Sequence, residues 1–307
     1  MPVIEVEGLR KTYRRLRGGP TVALDGLDLS VAEGGVFGFL GPNGSGKTTT
    51  IRCLLGLVRA SAGRSRLLDA GPTELHSIIR RVGSMVETPQ FFPNFSGRRN
   101  LELLTRLHGI GRARVDETLD LVGLGSRAGS AFHTYSLGMK QRLGLAAALI
   151  KDPEVLILDE PANGLDPAGI KEIRDLIRRL GSEGRTVFVS SHLLGEVQQM
   201  CDRVAILARG RLVTEGPVAD VLASGRTSRL VVRVEPLEAA LETLRSAELD
   251  VTLDGDHILV QLPAEEAARV TQVLADARMY VSELRPEEID LETVFLELTR
   301  SDMEPTG

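Results

Sequence analysis

From residue 35 to residue 57 the chain passes through three kinds of text. Gly35-Val36-Phe37-Gly38-Phe39-Leu40 reads as a short buried strand, and Thr49 to Leu57 has the apolar spacing of a helix. Between them, Gly41-Pro42-Asn43-Gly44-Ser45-Gly46-Lys47-Thr48 fits the phosphate-cradling pattern G-x-x-x-x-G-K-[ST] at every fixed position. Strand before and helix after are the context that turns the pattern into a site. Glycines at 41, 44 and 46 let the backbone curl towards phosphate oxygens, because no Cβ stands in the way. The loop N–H groups then converge on an anion, helped by the positive end of the helix that follows. Asn43, Ser45 and Thr49 belong to the same cradle. Lys47 supplies a point charge for the β- and γ-phosphates, and Thr48 a hydroxyl for Mg²⁺.

A strand that ends under such a loop must be buried, and the rest of the text supports that. Val155-Leu156-Ile157-Leu158 is fully apolar, as strands buried in parallel sheets are. Thr186-Val187-Phe188-Val189-Ser190 reads the same way. Val3 to Glu7 and Leu27 to Val31 alternate like half-buried strands, and Val82 to Val86 is a further short apolar run. Helical patterns cover Asn100 to His108, Val115 to Leu124 and Ile170 to Leu180, the last with Pro167 near its first turn. Alternating strands and helices with apolar strands predict an α/β fold with helices on the sheet faces.

The pattern changes around Ser224-Gly225-Arg226-Thr227-Ser228, where a domain boundary is expected. This divides the chain into a domain over 1–225, a second over 226–300, and a disordered tail over 301–307. The second reads as strand 229–235, helix 236–247, strands 249–254 and 256–262 joined by Asp254-Gly255, helix 264–276 and strand 279–285. That order is βαββαβ, a small α+β ferredoxin-like arrangement. A last helix is expected over Leu291 to Leu298, with Glu287, Glu288, Asp290 and Glu292 at its solvated start.

Composition narrows the class of protein. In 307 residues, 42% are hydrophobic and only 4% aromatic, with no Trp, so the core must be built from Leu, Val, Ile and Ala. The net charge of -5 argues against a nucleic-acid binder. The one basic cluster, Arg10, Lys11, Arg14, Arg15 and Arg17, reads as a solvated hairpin. Cys53 and Cys201 sit in apolar helical patterns and are expected to be buried, reduced thiols. No apolar run approaches the about 20 residues needed to span a bilayer, and no signal-peptide pattern opens the chain. A soluble, cytoplasmic chain is expected, with any membrane role exercised through a partner.

Three further motifs specify the chemistry. The strand at 155–158 runs into Asp159-Glu160. Burying the strand fixes the position of its last residues, so Asp159 can reach Mg²⁺ and Glu160 can polarise an attacking water. Tyr135-Ser136-Leu137-Gly138-Met139-Lys140-Gln141-Arg142 opens a long apolar helix with Ser136 as its N-cap. This is a second helix-start anion site, and one sheet cannot aim both at one phosphate chain; a second subunit removes the conflict. Ser190-Ser191-His192 ends the next strand, and His192 is placed to hydrogen-bond a γ-phosphate or the attacking water.

With these motifs in order, the chain resembles the nucleotide-binding subunit of an ABC transporter over roughly residues 3–222. The phosphate loop matches Walker A, Val155 to Glu160 matches Walker B, and Tyr135 to Met139 matches the signature loop. Asn163-Gly164-Leu165-Asp166 matches the D-loop, and His192 the switch histidine. Tyr13 falls where the family stacks an aromatic on adenine. The resemblance implies a P-loop ATPase domain with an antiparallel β subdomain and a helical subdomain. It implies ATP and Mg²⁺, a homodimer closed around nucleotide, and a separate integral membrane permease, with this chain peripheral on the inner face of the cell membrane. Glu160, His192 and Lys47 would act in catalysis; Ser136, Gly138 and Asp166 would meet the partner copy's nucleotide; Thr48, Asp159 and Glu87 would face the metal.

Two departures from the family pattern stand out. Tyr135, Leu137 and Met139 replace the first, third and fifth residues of Leu-Ser-Gly-Gly-Gln, while Ser136 and Gly138 remain. Glu87 replaces the usual Gln after the strand Val82 to Val86, and an ionised carboxylate cannot donate a hydrogen bond. Together with the stretch Glu87 to Gly97, these departures resemble the branch that exports peptide antibiotics such as bacitracin and lantibiotics; multidrug and daunorubicin-type exporters share the architecture. The alternative is a soluble ABC ATPase acting on ribosomes or DNA; those carry paired cassettes or long coiled-coil insertions, and this chain has one motif set and no sustained heptads. A kinase or GTPase lacks counterparts of Ser136–Gly138 and His192, and a non-enzymatic module would not need Lys47, Asp159 and Glu160. Within Thr88 to Asn100, Phe91, Phe92 and Phe95 either fill this domain's core or form the docking surface for the permease.

Overall fold

The computed structural model describes residues 2–14, 19–87, 90–224, 229–287 and 291. They divide into two compact units whose division in sequence falls at Val221–Leu222. The expected boundary residues 225–228, the expected last helix beyond Leu291 and the tail from 301 lie outside the described residues, as do Arg15, Arg17, Thr88 and Pro89.

The first unit holds two sheets. An antiparallel sheet is made of β1 (Pro2–Tyr13), β2 (Thr21–Ala32) and β4 (Ala62–Leu67), in the order β2-β1-β4. The larger sheet contains β3 (Gly35–Leu40), β5 (Val82–Met85), β6 (Val155–Asp159), β7 (Thr186–Ser191), β8 (Arg203–Ala208) and β9 (Arg211–Pro217). Its order is β5-β6-β7-β3-β8-β9, parallel except for β9. Sequence reading marked neither β4 nor the β8–β9 hairpin as strands. β4 has only Ser65 and Leu67 buried, and β9 is mostly half-buried, so neither presents the apolar run that marks a central strand.

Helix α1 (Lys47–Leu54) leaves the phosphate loop; it begins two residues earlier and stops three residues sooner than its apolar spacing predicts. Between β5 and β6 come α2 (Gly97–His108), α3 (Ala113–Leu121) and α4 (Leu137–Leu149). Ser96 and Ser136 cap α2 and α4 by accepting from Arg99 N and Met139 N, which sets where each helix starts. Helix α5 (Pro167–Ser182) has Pro167 in its first turn, where the missing N–H costs nothing, and Asp166 as its cap. Helices α6 (Leu194–Met200) and α7 (Val218–Ser224) complete the set in this part of the chain.

The core lies where the two sheets and α1 meet. Phe188 is fully buried, its ring 5.8 Å from that of Phe37 and 5.2 Å from that of Phe39. Ile4, Leu24, Leu27, Ile51 and Leu67 close around this layer. Both cysteines are buried and free, and burial pushes the Cys201 thiol far up, which keeps it inert.

The second unit runs β10 (Arg229–Val234), α8 (Leu237–Ser246), β11 (Val251–Asp254), β12 (His257–Gln261), α9 (Ala267–Asp276) and β13 (Val281–Pro286). The sheet order β11-β12-β10-β13 with antiparallel pairing throughout is the ferredoxin-like order. The hairpin turn is Gly255-Asp256 between paired Asp254 and His257, one residue later than Asp254-Gly255, and Gly255 takes the left-handed φ of +59° that such a turn requires. Leu230, Val232, Ile258 and Val260 face Ala240, Leu244, Val270 and Leu274 to form a separate core. Among the described residues, no helix is long and apolar enough to cross a membrane.

Replacing Phe188 with Ala removes the ring shared by Phe37 and Phe39. It is expected to cost about 3–5 kcal/mol in the unfolding free energy of the first unit. Urea unfolding followed by circular dichroism tests this; an unmoved midpoint would mean that the aromatic layer is not the core of the sheet.

Candidate nucleotide site

Three strand ends lie level at one edge of the larger sheet. β7 stands between β6 and β3, with Asp159 opposite Ser190 and Leu40 opposite Ser191. The phosphate loop, the Asp159-Glu160 pair and His192 are therefore neighbours by register, although more than a hundred residues separate the first from the others.

The loop is held from outside. A Cβ on Gly46, which has φ +114°, would stand 2.7 Å from the Ala23 carbonyl oxygen. A Cβ on Gly41 would stand 2.4 Å from the Leu207 carbonyl oxygen. Gly210 N donates to Ser45 O at 2.8 Å, and Asp25 N donates to Gly210 O at 2.9 Å. The β8–β9 turn and β2 thus form the wall on which the loop rests. Gly44, with φ +83°, has nothing within 4 Å of its Cβ position, so the crest of the loop is open. Asn43 is exposed beside it. Arg211 bonds Asp25 and, with its charge, holds that carboxyl below its ordinary pKa.

Inside the loop, Lys47 is almost fully buried. Its Nζ donates to Gly41 O at 2.7 Å and lies 3.2 Å from Glu160 Oε1. Glu160 Oε2 is 2.8 Å from His192 Nδ1. With Glu160 ionised, that contact requires the proton on Nδ1. Glu160 stands at φ +50°, a conformation that costs a non-glycine residue about 1–2 kcal/mol. Its N–H is held by Ser190, through O at 3.2 Å and Oγ at 3.1 Å. The same Ser190 hydroxyl donates to Asp159 Oδ1 at 2.5 Å. One serine therefore fixes both acids. Behind His192, Arg174 of α5 ties α6 in place through Glu196 at 3.1 Å and Gln199 at 2.5 Å.

The residues fit a triphosphate with a hard cation. The Ser45 hydroxyl is buried in the loop with no hydrogen-bond partner among the described residues, and such a group costs about 1–3 kcal/mol until one is supplied. Thr48 and Asp159 offer hard oxygen donors of the type Mg²⁺ takes alongside substrate phosphates. Thr48 and Thr49 are half-buried on the first turn of α1. Glu87, at φ +63°, points elsewhere and forms an ion pair with Arg52 of α1. Tyr13 ends β1 half-buried, with the Lys11 ammonium 4.9 Å from its ring centroid.

Other expected site residues gather in a different place. Ser136, Leu137, Gly138, Gly164, Leu165 and Asp166 line a cavity of ≈ 330 Å³ that does not include Lys47, Glu160 or His192. Leu137, 44% exposed, lies against Gly164, where a Cβ would meet it at 2.9 Å. Asp166 accepts from Gly169 N at 2.9 Å as the α5 cap.

The aromatic stretch after β5 splits. Phe91 meets Phe132 edge-on at 5.3 Å, whereas Phe92 and Phe95 are 59% and 40% exposed with their rings 5.3 Å apart. The buried Asn100 side chain fixes this stretch, accepting from Phe92 N at 2.9 Å and donating to Phe92 O and Ser96 O. Phe132 N donates to Phe95 O and His133 N to Pro93 O, both at 2.9 Å. Tyr135 is buried against Gly97 with its hydroxyl donating to Arg127 O at 2.8 Å, so the backbone before Ser136 is braced on the same stretch.

Sequence reading found Lys47, Asp159, Glu160 and His192 but gave Ser190, Gly210 and Arg52 no role. Ser190 carried a signal, since it directly precedes Ser191-His192 at a strand end. Gly210 and Arg52 carried none, because their partners are distant in sequence.

This sheet order, with a phosphate loop, paired strand-end acids and a histidine at one edge, defines a nucleotide-hydrolysing cassette. Residues 24–163 match the ABC transporter family. The YhcH ABC transporter ATP-binding protein of Bacillus subtilis is 41% identical over 300 residues, covering 97% of this chain and 96% of its own. The bacitracin transport ATP-binding protein BcrA of Enterococcus faecalis is 36% identical, covering 96% of each chain. The daunorubicin resistance ATP-binding protein DrrA3 of Streptomyces coeruleorubidus is 38% identical, covering 97% of this chain and 96% of its own. Among solved structures, the dimeric post-hydrolysis cassette MJ0796 bound to ADP and Pi is similar with a TM-score of 0.63 and 25% identity, over 70% of this chain and 98% of that one. The chain belongs to the ABC transporter ATP-binding proteins: it is an ATP-binding, ATP-hydrolysing subunit of a transporter. The ribosome- or DNA-directed alternative finds no support in these likenesses.

Ser190→Ala would leave Asp159 Oδ1 without its donor and Glu160 N with one acceptor fewer. A loss of about 1–3 kcal/mol in unfolding free energy is expected. Urea unfolding of the variant measures it, and a neutral result would remove Ser190 from the support of the acids.

Proposed function

We propose that two copies of this chain close head to tail around ATP and drive a separate membrane permease that exports a drug, a peptide antibiotic or a similar compound. The observation that carries the dimer is the division of the site. Lys47, Glu160 and His192 form one cluster, while Ser136 and Gly138 line another cavity with the Asp166 loop. A second copy supplies the missing half. The dimeric state of MJ0796 with ADP and Pi supports this reading. The words bacitracin transport and daunorubicin resistance in the names of BcrA and DrrA3 support export.

In this reading the loop N–H groups, the Ser45 hydroxyl and Lys47 bind the phosphates, with Tyr13 against adenine. Thr48 and Asp159 would hold Mg²⁺, and Glu87 would reach the same region on leaving Arg52. The metal supplies charge neutralisation at the phosphate oxygens. Lys47 now neutralises Glu160 Oε1; a γ-phosphate competes for that ammonium and leaves Oε1 to accept a proton from water. The water oxygen attacks the γ-phosphorus, the bond to the bridging oxygen breaks, and ADP departs. His192 keeps the Glu160 carboxylate aimed during the transfer.

The exposed pair Phe92 and Phe95 is the docking surface for the permease. Its backbone is bonded to 132–133, and the chain continues from there into Ser136, so a push at the docking surface reaches the residues that close on the partner's nucleotide. The permease places the cassette on the inner face of the cell membrane.

Glu160→Gln is expected to keep ATP bound and to cut turnover by about 10²–10⁴-fold, with a dimer accumulating on size-exclusion chromatography in ATP. Brisk turnover, or a monomer with ATP bound, would refute the assignment. Phe92→Asp is expected to leave ATPase activity in the isolated chain and to abolish its recovery with a multi-span protein from membranes. Unchanged recovery would remove Phe92 from the docking surface.

A further inference from the structure

Glu87 occupies a position from which the reading above would have it approach the metal, yet in the structure its carboxylate is paired with Arg52. The pairing is set by the geometry of α1. Thr48 and Arg52 are four residues apart, lie on one face of the helix and are both half-buried. Four residues are about 6 Å along a helix axis. Glu87 follows β5 by two residues in a left-handed conformation, and its carboxylate meets the Arg52 guanidinium. A neutral glutamine there would have no ionic hold on Arg52. With 35% and 61% of the two side chains exposed, the pair is accessible enough to exchange.

From this we infer that Arg52 is a latch for Glu87: it holds the carboxylate in an ion pair until a magnesium–nucleotide complex competes for it. The inference rests on the proposed metal role of Thr48 and Asp159. It makes the strand-end loop after β5 charge-gated. The carboxylate would have two electrostatic partners, the guanidinium at rest and the cation when nucleotide is bound. The loop carrying Glu87 continues into the Phe91–Phe95 stretch, so release of the latch is coupled by chain connectivity to the exposed phenylalanine pair. Arg52 is a positioning residue in this account, acting through Glu87 and not on the nucleotide.

The test titrates MgCl₂ into the full-length protein with trinitrophenyl-ATP, following probe fluorescence, so that binding is read and not turnover. Arg52→Gln is expected to lower the magnesium midpoint by about twofold to fivefold, the range given by release of one exposed ion pair. Arg52→Lys, which keeps the charge, should stay near the wild-type midpoint. In a Glu87→Gln background, Arg52→Gln should have no effect on the midpoint. Equal shifts in both backgrounds would mean a general charge effect and overturn the latch, as would an unshifted or raised midpoint with Glu87 present. Wild-type binding that ignores magnesium would overturn the metal reading and the latch together; magnesium-dependent binding indifferent to Arg52 would overturn the latch alone.

Discussion

A buried lysine held by its own loop is the constraint on which this site depends. Lys47 bonds the Gly41 carbonyl, and the loop that places it can curl only because glycines at 41 and 46 press on the carbonyls of Leu207 and Ala23. Neither carbonyl belongs to the loop. One lies in β8 and the other in β2, from two different sheets. The phosphate cradle is thus shaped by the packing of the two sheets, and its backbone is pre-organised before any anion arrives. The strain in this arrangement is offset by the aromatic and aliphatic core beneath it, where Phe39 and Phe188 bury completely.

From the same lysine a short chain of charges runs to Glu160 and on to His192. Each member has a partner at rest, and each partner is one that a triphosphate or its water would replace. This gives the Glu160 carboxylate an ionic partner at the edge of the buried sheet. It also explains why Ser190 matters. The left-handed backbone at Glu160 is held open by Ser190, which accepts the Glu160 amide proton while donating its own to Asp159. Such strain persists only where the surroundings over-determine it.

Much of this was legible in the sequence, and the legible part has a common cause. Strands β3, β6 and β7 are each built on a buried apolar run, so their ends could be located to within a residue, and the chemistry sits at those ends. The ferredoxin-like order was legible because two helical stretches separate its short strands and one glycine turn joins the middle pair. What escaped were elements whose identity depends on partners far away in sequence. β4 is a strand because of what it pairs with, Gly210 matters because Ser45 and Asp25 bond to it, and Arg52 because Glu87 turns towards it; β8, by contrast, carries a local signal in its buried apolar run 204–207. The aromatic stretch shows the limit most clearly. Phe91 and Phe92 are adjacent and chemically identical, yet one packs on Phe132 and the other stands exposed. No local pattern separates them; the hydrogen bonds from Asn100 do.

Those bonds bear on how work could leave the cassette. A surface used for docking transmits force only if its backbone is stiffer than its surroundings. The Phe92–Ser96 backbone is gripped by one buried asparagine and bridged to residues 131–133, and Tyr135 fills the space that only a glycine at 97 leaves open. Replacing the usual leucine of the signature loop by tyrosine thus adds a hydroxyl anchored on Arg127 O and a ring packed against the start of α2. The departure from the family pattern at 135 strengthens the mechanical link between the exposed phenylalanines and Ser136, while Ser136 itself keeps its place as the cap of α4. In the same way the carboxylate at 87 replaces a neutral group with one that forms an ion pair with Arg52. Both departures leave the phosphate loop, the paired acids and the histidine untouched.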